Sequence, residues 1–533
     1  METSVFKDML SRGREALDPF LSAFQAGMDV LPMEYTYVAI QAFLIIYVFI
    51  YNSMNFFMVV LAFFSVRMQL KKHHITDPEL LYHSPHSPVI SILVPAYNEA
   101  RTIVQSLYSL LNLHYPHFEI IVTNDGSDDR TLEVLKKEFK LIRKDSEYLP
   151  VLGTAKVRGL YESRMEKSES VLRLMVIDKE NGGRSDALNA GINAAKGDFV
   201  CTVDADSILE ENALLQTIQP IVEDREQVIA CGGQVAIANG CVIRDGRVIK
   251  TGLPKKALPM FQVIEYIRSF TGGRTAFEKI NSLLILSGAF SIIQRGVLLE
   301  VGGFLTRYLT TRIGIEYCGK GSHTVCEDME VIVRIWRYLY DKGRLKKITF
   351  SPHPICWTEA PEKMRDLGSQ RDRWYRGLCE ILWFHRLMLF NPRFGRIGLF
   401  AMPYQFFFEF LGPLMEFIGY ITIPLLWVMG KYNLQFVFLF FLSATVYGTF
   451  ISIVSVLLGL WNESAHRRGE ITASLFRYGG LWAKIRLFTY ALLSCVGYRQ
   501  VLLFYQMRGF VGFLKKEKGW QKFERQGFEL AEG

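Results

Sequence analysis

Four times between Ile90 and Asp206 a short apolar run ends in a cluster of polar residues, and that succession restricts the fold of the chain more than any other feature. The runs are Ile90 to Val94 before PAYNEA (Pro95 to Ala100), Glu119 to Thr123 before NDGSDD (Asn124 to Asp129), Val171 to Ile177 before DKENGGRSDALNAG (Asp178 to Gly191), and Asp198 to Val203 before Asp204 and Asp206. Short apolar runs of this kind read as strands buried on both faces of a parallel sheet. Helices are expected from near Arg101 and over Leu209 to Ile218. Strand, loop and helix in repeated succession predict a doubly wound α/β domain. Ligands bind at the carboxyl ends of such strands, so the polar loops predict the site.

The fourth run, VCTVDADSI (Val200 to Ile208), has two carboxylates spaced one residue apart. In an extended segment residues i and i+2 project to the same side, so Asp204 and Asp206 can address one divalent cation. Oxygen-only ligands favour Mg2+ or Mn2+ over zinc. Two aspartates ahead of a helix also serve as caps, and the pair by itself does not separate the two uses. NDGSDD likewise reads as a turn and helix cap, a role compatible with ligand binding.

Further along stand SGAFSIIQRGVLLEVGGF (Ser287 to Phe304), CED (Cys326 to Asp328) and QRDRW (Gln370 to Trp374). With PAYNEA, NDGSDD, NGGRSDALN and VDAD, this ordered set resembles the membrane-bound, inverting family-2 glycosyltransferases. That group includes cellulose, hyaluronan, chitin-oligosaccharide and poly-N-acetylglucosamine synthases, and the likeness spans roughly Ser87 to Trp374. The resemblance implies a GT-A fold, a catalytic domain inserted between transmembrane helices. It implies that Tyr97, Glu99 and Asp125 hold the uracil and ribose of a UDP-sugar, with Arg184 near the diphosphate. Asp204 and Asp206 resemble the pair that touches the nucleotide and ligates Mg2+ or Mn2+, with Asp206 the direct ligand. Gln370 belongs to the same donor set through QRDRW.

Breaking a sugar–phosphate bond leaves negative charge on UDP, which a cation and arginines must stabilise. Arg371 and Arg373 have planar guanidinium groups suited to phosphate. Trp374 offers an indole face to a pyranose, though tryptophan also fills cores; the resemblance favours an acceptor platform. Asp328 begins a helical stretch, Glu330 to Tyr338, whose dipole keeps a carboxylate ionised. An ionised carboxylate can take the proton of an acceptor hydroxyl, and the family pattern selects Asp328 over the neighbouring Glu327. Direct attack by that hydroxyl inverts the anomeric centre, giving a β-linked product from an α-linked donor. No G-x-S-x-G elbow, Walker loop or G-x-G-x-x-G spacing occurs, so hydride transfer and ATP hydrolysis lose support.

Half of the 533 residues are hydrophobic (50%), with 39 Phe, more than a soluble enzyme carries. Tyr35 to Val66 exceeds the ~20 residues that cross a bilayer and has no charge inside it. It is too long and too far from the start for a cleaved signal peptide. The expected organisation is a segment 1–34 that can form an amphipathic helix, a transmembrane helix 35–67, a cytosolic GT-A domain 75–395, an interfacial and transmembrane helix 399–430, a transmembrane helix 433–461, a transmembrane or re-entrant segment 485–513 and a tail 514–533. Glu409 and Glu416 are costly in lipid, so Phe400 to Phe410 reads as an interfacial helix facing the enzyme.

Arg67, Lys71 and Lys72 after the first span, with Arg393 and Arg396 before the second, put the enzyme domain in the cytosol at the inner membrane. The basic loop with Arg467, Arg468 and Arg477 agrees. The basic tail Lys515 to Arg525 agrees only if Leu487 to Phe513 turns back or a crossing is misplaced.

The net charge of +8 needs no nucleic acid to account for it. Eight cysteines without a C-x-x-C pair suit a reducing compartment, and Cys318, His323 and Cys326 match no zinc spacing. His73, His74, His83 and His86 read as a polar connector. Long connections over Lys144 to Ser170 and Gly302 to Ser322 depart from the family and can shape the acceptor pocket. The expected function is a multi-pass enzyme transferring glucose or N-acetylglucosamine from UDP, elongating a polysaccharide and exporting it, with any export or regulatory partner undefined. Transfer of one sugar to a lipid-linked acceptor is the alternative enzyme. A catalytically silent nucleotide-sugar-binding membrane subunit is the alternative of another class, opposed by the presence of Asp204, Asp206, Asp328 and Trp374.

Overall fold

The structure is a computed structural model and describes residues 33–73, 78–84, 87–145, 148, 150–165, 168–430, 434–466, 479–517, 527 and 529–530. The expected amino-terminal amphipathic segment, His74, His86, the loop with Arg467, Arg468 and Arg477, and most of the basic tail lie outside those residues. The chain divides into two compact units, Met1–Ser53 with Leu414–Gly448 and Met54–Pro413 with Thr449–Gly533.

The strands of the larger unit are β1 (Ile90–Ala96), β2 (Phe118–Asp125), β3 (Leu141–Lys144), β4 (Val157–Ser163), β5 (Val171–Lys179), β6 (Phe199–Val203), β7 (Ser207–Leu209), β8 (Val228–Ile237), β9 (Val242–Arg244), β10 (Arg247–Lys250), β11 (Phe290–Gln294), β12 (Lys347–Thr358) and β13 (Glu529–Leu530). Ten of them form one sheet in the order β3-β4-β5-β2-β1-β6-β11-β8-β12-β7. The four strands read from the sequence are its parallel centre, β5-β2-β1-β6, with Ile90 level with both Phe118 and Phe199. The chain runs outward from β1 through β2 to β5 and then returns to β6 on the other side of β1. That reversal opens a crevice between β1 and β6, where doubly wound sheets bind ligands.

Helices cover the centre because their apolar residues recur at helical spacing. In the helix Ile103–Leu111, Ile103, Leu107 and Leu110 are buried along one stripe. The helix Arg184–Ala194 lies so close to the sheet that a Cβ on Gly191 would come within 3.0 Å of the Leu93 side chain.

Away from the centre the sheet is mixed, beyond the reach of the four parallel strands read from the sequence. β4 runs against β5, and β11 runs against both β6 and β8. The expected helix from Leu209 is corrected. Ser207 to Leu209 form β7, which pairs with Cys356, Trp357 and Thr358 of β12, and the helix begins later, as Ala213–Glu223. An apolar SIL segment buried against β12 at the sheet edge gains more as a strand than as a first helical turn. The connection after Lys144 is partly strand, since β3 and β4 extend the sheet. The segment after Gly302 is anchored: Asn189 accepts from the Phe304 N–H at 2.7 Å and donates to its carbonyl at 2.9 Å.

Four helical stretches are long and apolar enough to cross a membrane: Tyr35–Gln69, Ile397–Val428, Leu434–Ser464 and Leu481–Leu514. Within the smaller unit, Leu44 and Val48 pack against Phe436 and Phe440, and Asn52 donates to the Ser443 carbonyl at 2.8 Å. A buried amide in such a setting needs that partner. Leu481–Leu514 is not one straight rod. The backbone breaks at Val496 (φ −120°, ψ 121°) and Gly497 (φ 82°), and Gly497 supplies the positive φ. The helix after the break, Arg499–Leu514, packs along the helix Met364–Phe384. A Cβ on Gly509 would lie 2.6 Å from the Asp372 carbonyl, and Arg508 Nε donates to Asp372 Oδ2 at 2.7 Å.

Candidate active site

Strand ends and the loops after them build one wall. PAYNEA leaves β1 through Asn98, which holds φ 54° and accepts from the N–H groups of Asp128 (2.9 Å) and Asp129 (3.3 Å). The Tyr97 hydroxyl donates to Asp128 at 2.9 Å, and that bond raises the phenol's pKa. Glu99 is buried and accepts from the Thr102 hydroxyl at 2.9 Å. PAYNEA and NDGSDD therefore form one interlocked rim.

Asp125 ends β2 in a buried position. It accepts from Lys179 Nζ at 2.5 Å and from the N–H groups of Gly182 (3.0 Å) and Gly183 (2.8 Å). Lys179 is fully buried and also pairs with Asp186 at 2.5 Å. Burial raises the Asp125 pKa, opposed by Lys179. Both Asp125 oxygens thus hold the NGG loop in shape.

Arg184 follows that loop at the first turn of its helix and joins two motifs. Its Nε and Nη2 donate to Asp204 Oδ1 at 3.0 and 2.6 Å, its Nη1 pairs with Glu327, and Nη2 donates to the Gly288 carbonyl at 2.8 Å. Burial alone would lower the Arg184 pKa, but Asp204 and Glu327 outweigh it and keep the guanidinium charged. Gly288 N–H in turn donates to Asp328 Oδ2 at 3.2 Å. A Cβ on Gly288 would meet the Arg184 guanidinium at 3.1 Å. SGAF thus bridges Arg184 and Asp328.

Asp204 and Asp206 do not project from an extended strand as the spacing predicts. β6 ends at Val203, and a turn closed by the Ser207 N–H on the Asp204 carbonyl (3.0 Å) leaves the Asp204 carboxylate one-third exposed and Asp206 buried at 2% exposure. Two carboxylates this close, one of them buried, call for positive charge beside them. Their hard oxygen donors suit Mg2+ or Mn2+.

The helix carrying Asp328 starts at Glu327 rather than Glu330 and runs to Asp341. Asp328 Oδ1 accepts from the Met329 N–H at 2.9 Å. Its pKa is raised, by burial first and by Glu327 second, against the pull of Arg184 and Arg274. Glu327, the competing base, is spent on Arg184. Further down the helix Glu330 is fully buried and carries Arg334 at 2.8 Å, with Cys318 Sγ at 3.3 Å and His385 Nε2 at 3.4 Å. Cys318 therefore pairs with this cluster and not with His323 and Cys326.

QRDRW lies on the helix Met364–Phe384, seated on CED: Cys326 Sγ donates to the carbonyls of Arg373 and Trp374 at 3.8 Å. A Cβ on Gly377 would fall 2.4 Å from that sulfur. The Arg373 charge lies close enough to act on the Cys326 thiol, as does Asp328. Gln370 Oε1 is buried with no hydrogen-bond partner among the described residues, while Trp374 is 36% exposed. Arg371, expected at the diphosphate, has a carboxylate partner. It is buried at 4% exposure and paired with Glu265, Nη1 to Oε1 and Nη2 to Oε2, each at 2.8 Å.

Sequence reasoning missed Glu265, Gly288 and Arg274. Gly288 stood inside a motif already singled out. Arg274 ends the π-helical turn Ile267–Arg274, donates to Ser269 Oγ at 2.7 Å and acts on Asp328, and burial lowers its pKa to about 10. π turns recur at functional positions, but no sequence periodicity announces them.

Two family profiles match the chain: "Glycosyl transferase family 2" over residues 91–166 and "Glycosyltransferase like family 2" over residues 164–377. The chain is similar to poly-beta-1,6-N-acetyl-D-glucosamine synthase of Staphylococcus epidermidis, 26% identical over 74% of this chain and 81% of that one. It is also similar to the probable glycosyltransferase YdaM of Bacillus subtilis, 26% identical over 82% and 87% of the two chains. Among solved structures, a mannosyltransferase of Pyrobaculum calidifontis in complex with GDP-Man and Mn2+ matches at TM-score 0.44 and 16% identity, over 88% of this chain and 100% of that one. TarS 1-349 of S. aureus with UDP-GlcNAc matches at TM-score 0.34 and 15% identity, over 77% and 91%. The two profiles run without a gap from Ser91 to Gly377 and so take in every motif from PAYNEA to QRDRW: the chain is a GT-A glycosyltransferase and belongs to glycosyltransferase family 2.

Proposed function

We propose that this enzyme transfers N-acetylglucosamine from UDP to the growing end of a β-linked glycan, with inversion, at the cytosolic face of the cell membrane. The observation that carries the chemistry is the chain of contacts Asp204, Arg184, Gly288, Asp328, which sets a base against a cationic diphosphate pocket. The choice of sugar is supported by the similarity to poly-beta-1,6-N-acetyl-D-glucosamine synthase.

Tyr97 and Glu99 flank the nucleoside. Asp206 and Asp204 would hold Mg2+ or Mn2+, which when bound supplies positive charge to the diphosphate. Arg184 and Arg373 balance the departing UDP from the protein side, with Gln370 turning its buried amide carbonyl to the ligand. Trp374 carries the acceptor sugar on its exposed face. Asp328 takes the proton as the acceptor hydroxyl attacks the anomeric carbon. The bond from that carbon to the phosphate oxygen breaks, and UDP leaves with the electron pair. The raised pKa of Asp328, set by burial and Glu327 against Arg184 and Arg274, makes it a stronger base than an ordinary carboxylate.

The break at Val496 and Gly497 supports the following membrane arrangement. Tyr35–Gln69, Ile397–Val428 and Leu434–Ser464 cross, and Leu481–Leu514 stays on the cytosolic surface. Its packing along the helix Met364–Phe384 supports this, and the basic tail then lies in the cytosol, consistent with the positive-inside rule.

The test is UDP release by detergent-purified protein with Mn2+ across UDP-GlcNAc, UDP-glucose and UDP-galactose, with products sized by gel. Long product from UDP-GlcNAc supports the reading. Single-sugar product moves it to a lipid-linked acceptor, and binding without turnover moves it to the silent subunit.

A further inference from the structure

Arg371 of QRDRW pairs with Glu265, and through it with Tyr498, on two elements distant in sequence. Glu265, on the helix Ala257–Tyr266, grips both terminal nitrogens of Arg371 at 2.8 Å. Glu265 Oε2 also accepts from the Tyr498 hydroxyl at 2.9 Å. Tyr498 stands at the helix break, beside Gly497, and stacks on Phe261 with centroids 4.7 Å apart and an interplanar angle of 10°. Phe261 and Glu265 are four residues apart on one helix, so one face of that helix holds Tyr498 by its ring and by its hydroxyl. The Arg371 guanidinium carbon sits 4.2 Å from the Trp374 ring centroid.

A guanidinium over an indole fixes the plane of the ring, and a bidentate carboxylate fixes the guanidinium. With one face of the indole occupied by Arg371, the other is left for a ligand, which fits the 36% exposure of Trp374. We propose that Glu265 and Tyr498 are positioning residues for the acceptor: through Arg371 they set the orientation of the Trp374 platform and couple it to the segment Leu481–Leu514 at the membrane surface. The proposal rests on the reading of Trp374 as the acceptor platform. It assigns Arg371 to that platform and leaves the diphosphate to Arg184 and Arg373.

The experiment compares full-length wild type, Glu265→Gln and Tyr498→Phe, both near-isosteric, in two measurements. The first is the fluorescence of Trp374, isolated by subtracting the Trp374→Phe spectrum made in each background, with acrylamide as quencher. Both variants are expected to alter its emission maximum and increase its quenching. The second is steady-state kinetics with UDP-GlcNAc and a short β-linked N-acetylglucosamine oligosaccharide. The acceptor KM is expected to rise about tenfold, the scale of losing one well-placed cation–aromatic contact, while the donor KM stays within about twofold. The double variant Glu265→Arg/Arg371→Glu, which restores the pair with its charges exchanged but loses the cation over Trp374, should leave the acceptor KM high. Unchanged Trp374 emission, or a rise in donor KM with acceptor KM fixed, overturns the proposal. An enzyme that makes no glycan from UDP-GlcNAc would defeat the proposed function, and the fluorescence would still decide whether Glu265 orients Trp374.

Discussion

On the nucleotide side of the cleft Tyr97, Glu99, Asp204 and Asp206, which the proposed reading gives to the nucleotide and its cation, sit at the ends of central parallel strands or in the loops directly after them, and hydrogen bonds tie loops of this edge to one another. Asn98 spans to the loop after β2, and Asp125 spans to the loop after β5. On the acceptor side the helix Met364–Phe384 is held from elsewhere: by Cys326 beneath it, by Glu265 against Arg371, and by Arg508 and Gly509 of the helix Arg499–Leu514. The first side has its geometry from the sheet. The second is assembled from segments 47, 106 and 136 residues away along the chain, one of which belongs to a stretch apolar enough for a membrane. A rigid sheet edge suits a nucleotide that is always the same, and a helix held by side-chain clamps suits an acceptor that must advance after each addition.

The contrast is broken most severely at Asp328, which faces both sides. Asp328→Asn should cost about 10²- to 10⁴-fold in kcat with the protein still folded, measured as UDP release. An intact rate would move the base elsewhere and dissolve the link between the two sides. Asp206→Asn should lose about 10²- to 10³-fold, the scale of removing one preorganised electrostatic contact. Chelation with EDTA should silence the wild type and added Mn2+ restore it, whereas activity surviving full chelation would detach the two aspartates from a cation.

A smaller effect sharpens the comparison at its narrowest point. Gly288→Ala places a methyl 3.1 Å from the Arg184 guanidinium, so Arg184 must give by a few tenths of an ångström. A rate loss of about three- to tenfold is expected, with donor KM affected more than acceptor KM. Equal effects on both would show that the two sides share this contact.

The smallest change concerns pH. Burial and then Glu327 raise the Asp328 pKa, so base function is lost as pH falls through a value above the ordinary carboxylate range. Glu327→Gln removes one raising charge, and the acid limb of kcat/KM should move to lower pH. A limb that stays in place or moves up contradicts the assignment of that limb to Asp328.

The same contrast decides what could be read in the sequence. The strands from Ile90, Glu119, Val171 and Phe199 were legible because buried parallel strands are continuous apolar runs, and the polar residues after them marked the site edge. β7 was not, since SIL reads equally as the start of a helix until Trp357 is known to lie beside it. The Lys179 partner of Asp125 was not legible, because it lies at the end of an apolar run where burial of a lysine leaves no pattern. The Glu265 partner of Arg371 was not legible, because an arginine in QRDRW looks the same whether it meets phosphate or a carboxylate from residue 265. Motif order carried the catalytic residues, but side-chain clamps between distant helices leave no local signature.

The central claim is direct displacement by an acceptor hydroxyl deprotonated by Asp328, and the most direct measurement is the anomeric configuration of the first product formed from α-linked UDP-GlcNAc, read from the proton coupling constant by NMR. The account predicts a β linkage from the first turnover. An α linkage would mean retention, and would contradict both the single-step attack and the role given to Asp328.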